Sequence, residues 1–275
     1  MLHVFSLGIH EGWTSIYLPE LLNGTNTAQI TSEEGSWITS FLFVGAIMGC
    51  GISAITINLM GRKITILITS AAYCISSLML AFARSVTIFY VARFTAGVAS
   101  GMTFTAVPFH LGEIADPKFR GFLQTFYIIF GLCGFLFISV LGSCLNVKLS
   151  SLILAGIPIV HLVIFVWMPE SPYYLIKKED FEKAKQSLKK FKGDINVEEE
   201  LNRLNEAIRA ENEDKSIFLE LFTNKLHRRT RVQYIFWFFN VSYSIDLKRN
   251  FFYKCESSCI VLMWNLFVYS HRNYY

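Results

Sequence analysis

The residues of this chain that could do chemistry are few, and most stand in apolar surroundings. His10 and Glu11, Arg93 and His161 lie within long apolar runs, where an ionisable group is costly and faces a partner or a cavity. A second group, Arg62, Lys63, Glu113, Arg120 and Glu170, stands at the ends of those runs. Opposite charges placed there can pair from one helix to the next. Neither group has the make-up of a catalytic centre. No nucleophile stands beside a base, no set of side chains has zinc-ligand spacing, and Gly61-Arg62-Lys63 lacks the rest of a phosphate loop. Neither an enzyme, a metal nor a cofactor is expected. His161, alone on an apolar stretch, reads as a hydrogen-bonded packing residue.

Long apolar segments must position them. The chain has 275 residues, 53% hydrophobic and only 17% charged, against about 25% charged for a soluble domain. The charges are segregated: sparse from Ser36 to Val147, dense from Lys177 to Arg231. A net charge of +4 is too small to suggest a nucleic-acid partner. A membrane span needs about 20 apolar residues. Ser36–Ile57, Ile64–Ala83, Ser85–Gly112, Gly121–Val147 and Leu149–Met168 qualify, and Met1–Leu22 is a weaker first span. Such unbroken runs predict helices rather than barrel strands. Cys50, Cys74, Cys133 and Cys144 fall in or near these runs and are expected to be small buried hydrophobes, while Cys255 and Cys259 match no metal signature.

Lysine and arginine set the orientation. The loops after the second, fourth and sixth spans carry Arg62 and Lys63, Lys118 and Arg120, and Lys177 and Lys178; the alternate loops are poorer. The even loops, and with them the N-terminus, are therefore expected in the cytosol. Asn23-Gly24-Thr25 is a glycosylation sequon on the opposite side, making Asn23 the acceptor. Gly45-xxx-Gly49 and Gly97-xxx-Gly101 each put two glycines on one helix face, a pattern that admits a neighbouring backbone. From Lys177 to about Asn212, Phe181, Ala184, Leu188 and Phe191, then Leu201, Leu204 and Ile208, recur at helical spacing with a break at Gly193-Asp194.

Three loop motifs recur at equivalent places: Asn58-Leu59-Met60-Gly61-Arg62-Lys63, Pro108 to Gly121 with Glu113 and Arg120 inside it, and Pro169-Glu170-Ser171-Pro172-Tyr173-Tyr174-Leu175. With Gly12-Trp13-Thr14-Ser15, Glu34-Gly35-Ser36-Trp37 and Arg93-Phe94, they resemble the sugar porter family of the major facilitator superfamily, most closely the insect trehalose and glucose facilitators. The resemblance runs from residue 1 to about 231. It implies an all-α membrane fold: residues 1–168 as the six-helix N-terminal half of a transporter, residues 169–231 as a cytosolic helical insert, and 232–275 as an atypical tail in place of a seventh span, truncated or misassembled.

The resemblance further implies facilitated transport of glucose or trehalose by alternating access, in the plasma membrane, with the sugar and the lipid bilayer as partners. Arg62, Lys63, Glu113, Arg120 and Glu170 would form a cytosolic gate locking two halves together. Glu11 or His10 would pair with Arg93, and protonation would loosen that pair and couple transport to protons. The family's sugar-binding glutamine of the fifth span is Ile128 here, leaving Gln124, one turn earlier, as a weak substitute. Asn58, Leu59, Tyr173 and His110 also depart from the family pattern. Because half a transporter supplies one wall of the path, the chain alone is expected to be an incomplete transporter; a sensor or regulatory half-transporter is the alternative.

Overall fold

A computed structural model describes residues 1–23, 30–115, 119–192 and 197–213. The tail after residue 213, the Gly193-Asp194 break, Lys118 and the sequon positions Gly24 and Thr25 lie outside the described residues. Among those described, the secondary structure is helical throughout. Six long helices come first: α1 Leu2–Leu22, α2 Ser32–Met60, α3 Arg62–Ala81, α4 Val86–Ile114, α5 Arg120–Cys144 and α6 Val147–Val166. Three shorter ones follow: α7 Pro172–Lys177, α8 Phe181–Lys192 and α9 Val197–Glu213. The shortest of the six has 20 residues, about 30 Å at 1.5 Å per residue, which matches a hydrocarbon core. By length and composition α2, α3, α5 and α6 could each cross a membrane. The α1 and α4 helices are the polar ones, carrying His3, His10, Glu11, Arg93 and His110, and they bury most of their polar side chains inside the bundle.

Local signals fix the helix starts. Thr31 and Glu34 make a reciprocal capping box on α2: the Glu34 carboxylate accepts from the Thr31 N–H at 2.8 Å, and Thr31 Oγ1 accepts from the Glu34 N–H at 3.3 Å. A single residue, Gly61 at φ 95°, joins α2 to α3, a conformation that a Cβ would strain. Pro172 opens α7 in the first turn, where its missing N–H costs nothing.

The main contacts run α1 to α5, α2 to α4, and α3 to both α4 and α6. Glycines make the second pair close. A Cβ on Gly45 or Gly49 would collide with the α4 backbone at Phe94 and Val98, and one on Gly97 or Gly101 would collide with the α2 backbone at Leu42 and Ala46. The two GxxxG faces read from the sequence therefore meet each other. Apolar side chains cluster on one core around Trp13, Tyr17 and Ile138 and another around Val4, Ile66 and Tyr73. Many large ones point outward instead, among them Leu136, Val140, Val163 and Trp167, the last 83% exposed at the end of α6. Lipid solvates such a face, and tryptophan suits the membrane interface.

The cysteines correct an expectation. Cys50, Cys133 and Cys144 are exposed and Cys74 is half-buried. A membrane helix is apolar on its outer face too, so an apolar run does not place a small side chain inside.

The chain divides after Glu198 into two compact units. In the first, α7 and α8 pack together beside the six long helices. Asp180 precedes α8, accepting from the Lys183 N–H at 3.3 Å and pairing with Lys183 Nζ at 2.6 Å. Lys185 pairs with Glu198 at 2.8 Å. In the second unit, which begins within α9, Arg203 and Glu200 lie 3.5 Å apart.

Candidate functional site

Two polar clusters stand out, one between the long helices and one at their ends. Arg93 of α4 is fully buried. Its guanidinium lies over the Trp13 ring, 4.8 Å from the centroid, a geometry favourable to a cation. It donates to the main-chain carbonyl of His10 at 3.0 Å and to the Thr14 hydroxyl. The His10 imidazole faces away, with Nε2 3.2 Å from Ser77 Oγ and its ring stacked on Tyr73 at 4.8 Å. Half-buried Glu11 is near enough for its charge to attract that of Arg93, but the two make no ion pair within 4.0 Å. The expected contact of His10 with Arg93 is thus made by its backbone rather than its ring, with the Thr14 hydroxyl one turn on serving the same guanidinium.

At the other cluster, the Arg62 side chain opens α3 and is 6% exposed. Its Nε and Nη2 reach Glu113 Oε1 of α4 at 2.9 and 2.6 Å, and Nη1 reaches the Ile57 carbonyl of α2 at 3.3 Å. The Tyr173 and Tyr174 rings lie 5.6 and 5.5 Å from the guanidinium. Glu113 Oε2 accepts from Ser171 Oγ at 2.5 Å. Glu170 bonds to backbone rather than to a cation: its Oε1 accepts from the N–H groups of Arg62 at 3.1 Å, Lys63 at 3.0 Å and Ser171 at 2.9 Å. These first N–H groups of α3 have no partner within the helix, and the helix dipole favours an anion there. Gly61 leaves the room, since a Cβ on it would come within 2.6 Å of Glu170 Oε2. Lys63 does the converse for α6, donating from Nζ to the Val166 carbonyl at 2.7 Å. The Tyr174 hydroxyl donates to the Leu59 carbonyl at the end of α2, at 2.9 Å.

Four of the five residues expected in this cluster therefore meet. Arg120 does not: it opens α5, is exposed, and has no hydrogen bond or ion pair among the described residues. Gln124 donates from Nε2 to the Pro108 carbonyl at 3.3 Å. Asn23 is exposed at the end of α1.

A family model described as "Sugar (and other) transporter" matches residues 15–245. The chain belongs to the sugar transporter family. Curated relatives include the facilitated trehalose transporter Tret1-2 homolog of Drosophila simulans, 30% identical over 200 residues that make up 72% of this chain and 41% of that protein. Another is the facilitated trehalose transporter Tret1 of Bombyx mori, 30% identical over 72% of this chain and 39% of that protein. The chain thus spans about two fifths of the length of these relatives. Among solved structures, the xylose transporter XylE from E. coli in a partially occluded inward open conformation superposes with a TM-score of 0.68 at 18% identity, over 80% of this chain and 60% of that one. The same symporter bound to 6-bromo-6-deoxy-D-glucose gives 0.68 at 18% identity, over 80% and 55%. The fold is therefore that of the matching part of these major facilitator superfamily structures, and the family match and the apolar helices make the chain a multi-pass membrane protein.

Within this sugar-transporter fold, a polar cluster that the motifs did not announce joins α1, α3, α4 and α6. His3 is buried, with Nδ1 2.9 Å from Ser70 Oγ and Nε2 2.9 Å from both Thr69 Oγ1 and Thr103 Oγ1. Ser70 Oγ also meets His161 Nδ1 at 2.7 Å, so the expected hydrogen-bonded packing role of His161 has a specific partner. A signal existed in α3: Thr65, Thr69, Tyr73, Ser76 and Ser77 form a polar stripe at helical spacing on an otherwise apolar span. A stripe of that kind on a membrane helix marks the face turned to polar partners.

Proposed function

We propose that this chain supplies the N-terminal half of a plasma-membrane transporter that carries a sugar such as glucose or trehalose by alternating access. The family match over residues 15–245, with relatives named as facilitated trehalose transporters, carries the reading. Transporters of this architecture bind substrate near the bilayer midplane between two halves that rock against each other. This chain furnishes one wall, and its function is complete when a second half faces it. Transport on this reading is conformational and breaks no covalent bond.

Arg62, Lys63, Glu113 and Glu170 are the fixed side of the cytosolic gate: they hold the ends of α2, α3, α4 and α6 as one surface against which the second half closes. Arg120 is the gate charge free to meet that half. The α7 and α8 helices brace the same surface: the Tyr174 hydroxyl donates to the Leu59 carbonyl at 2.9 Å and the Ser187 hydroxyl to the Glu170 carbonyl at 2.5 Å. The N-terminus and the even loops face the cytosol, and Asn23 carries a glycan on the outer side. Gln124 has one amide hydrogen and its oxygen left for a sugar hydroxyl. Glu11, near Arg93 but unpaired with it, is the group that takes up a proton if uptake is proton-coupled; losing its charge frees Arg93 to draw closer to other acceptors. A non-transporting sensor or regulatory half-transporter is the second reading.

The test is uptake of labelled trehalose and glucose into cells that lack their own carriers. The chain is expressed alone and together with the C-terminal half of the Bombyx mori trehalose transporter. Uptake is expected only with both halves. Uptake by the chain alone would overturn incompleteness, and no uptake in either arm, with both polypeptides at the surface, would favour the regulatory reading. Acid-stimulated uptake that persists in Glu11→Gln would remove the coupling role.

A further inference from the structure

The His3 cluster has a property that an ordinary core histidine lacks. A ring held by a carbonyl on one side is fixed in one tautomer, because a carbonyl only accepts and keeps a hydrogen on the nitrogen that faces it. Among the described residues every hydrogen-bond partner of the His3 ring is a hydroxyl, and a hydroxyl can donate or accept. The three hydroxyls also have alternatives. Thr69 and Ser70 can donate to the Ile66 carbonyl at 2.8 and 3.1 Å, and Thr103 to the Ala99 carbonyl at 2.7 Å.

The hydrogens can be counted. When all three hydroxyls donate to their carbonyls, Ser70 must accept from His3 Nδ1, while Thr69 and Thr103 must accept from His3 Nε2. The ring then carries a proton on both nitrogens and is a cation. When the ring is neutral, one nitrogen is bare, and one hydroxyl swings about its Cβ–Oγ bond to donate to it. If Thr69 or Ser70 swings, the Ile66 carbonyl keeps the other. In both forms the ring nitrogens and the hydroxyls keep partners, Thr69 and Thr103 sharing the single Nε2 hydrogen, and passing between the forms adds or removes one ring proton and turns one hydroxyl without moving a heavier atom. Ser70 extends the arrangement. Its oxygen lies between His3 Nδ1 and His161 Nδ1, and its single hydrogen can serve only one of them, so the proton positions on the two rings depend on each other.

We propose that His3 is a reversible proton-binding site inside the helix bundle, linked through the Ser70 hydroxyl to His161. The site is distinct from Glu11 and does not depend on which sugar the family member carries. Its surroundings are defined on each side. On α1 stand His10, Glu11 and the amino group of Met1; on α3, Tyr73, edge-on to His3 at 5.6 Å; on α4, His110 and Arg93; on α5, Tyr127; and on α6, His161, stacked on His3 at 5.0 Å. Among the described residues no carboxylate bonds to either ring. Burial and the neighbouring cations oppose a further positive charge, whereas the hydroxyls satisfy both forms, and a titration reads the balance.

The experiment needs neither sugar nor transport, so its failure is separate from failure of the transporter reading. The full chain is held in lipid nanodiscs with isotope-labelled histidine, and ring-nitrogen resonances are followed from about pH 8 to about pH 4. His3 is assigned by its loss in His3→Gln, or by elimination with His161→Gln and His10→Gln if that variant does not fold. The His3 nitrogens are expected to move reversibly to the doubly protonated position while the helical circular dichroism stays unchanged. In Ser70→Ala, which removes the shared hydroxyl, the His3 midpoint is expected to shift by about one pH unit, and the His161 signals are expected to stop following it. A His3 ring that stays in one neutral tautomer until the helices unfold overturns the proposal. So does a Ser70→Ala chain in which both rings titrate as in the parent.

Discussion

The sharpest test of the cytosolic cluster is Glu170→Ala. The carboxylate accepts from the first two N–H groups of α3 and from the Ser171 N–H, and among the described residues no lysine or arginine side chain pairs with it. Its work is therefore to cap a membrane helix from a distant loop. Loss of a capping acceptor costs about 1 kcal/mol, and loss of a negative charge at a helix start costs a further 0.3–1 kcal/mol or so. Together they predict a destabilisation of about 2 kcal/mol. Glu170→Gln keeps an acceptor oxygen and should lose only the charge share, about 0.5–1 kcal/mol. For a domain of this size that corresponds to a fall in melting temperature of about 4–8 °C for alanine and about half that or less for glutamine. Tryptophan fluorescence during heating in nanodiscs reads both. A cycle with Lys63→Met separates capping from ion pairing: the Lys63 ammonium serves the Val166 carbonyl, so the coupling between the two side chains should stay below about 0.5 kcal/mol. A glutamine variant as damaged as the alanine variant, together with strong coupling to Lys63, would refute the capping argument.

Other outcomes follow from the same geometry. Glu113→Ala strips the buried Arg62 guanidinium of its carboxylate and should cost about 3–5 kcal/mol, seen as loss of folded material in detergent size-exclusion profiles. Gly97→Val drives a side chain into the α2 backbone and should cost at least about 1–3 kcal/mol, whereas Gly112→Ala, with open space around it inside α4, should raise stability by up to about 0.5–1 kcal/mol. The Lys183 ammonium and its N–H hold the Asp180 carboxyl below its ordinary value. A depressed carboxyl stabilises the native state above its unfolded pKa and loses that contribution as pH falls through the folded one, so α8 amides should exchange faster below about pH 4. Asp180→Asn should remove most of that pH dependence.

The long helices were legible because lipid demands long apolar runs, and the GxxxG faces on α2 and α4 were legible one helix at a time. That they meet each other was not, because pairing is a property of the bundle and not of either segment. The charges at the helix ends were also readable, but not their partners. Sequence shows Glu170 as an anion among cations; only the fold shows that it bonds to the N–H groups beside Gly61, which carry no letter of their own. His10 was picked out by its position near Arg93, yet its backbone makes the contact. His3 was overlooked because a lone histidine near the chain start says nothing until the hydroxyls of α3 and α4 are placed around it. The break expected at Gly193-Asp194 and the atypical tail lie outside the described residues.

The meshed glycines of α2 and α4 also bear on motion. Two helices separated by side chains can slide, because side chains bend and change rotamer. Here peptide groups rest in gaps the width of a missing Cβ, four residues apart on both partners. A slip of one residue, about 1.5 Å along the axis, would carry the Phe94 and Val98 backbone off the α2 glycines and the Leu42 and Ala46 backbone off the α4 glycines, toward positions that carry a Cβ. The next matching register is a full turn away. The pair therefore acts as a ratchet with one tooth engaged, and any rearrangement of this bundle has to pivot around α2 and α4 as a single shaft instead of shearing between them.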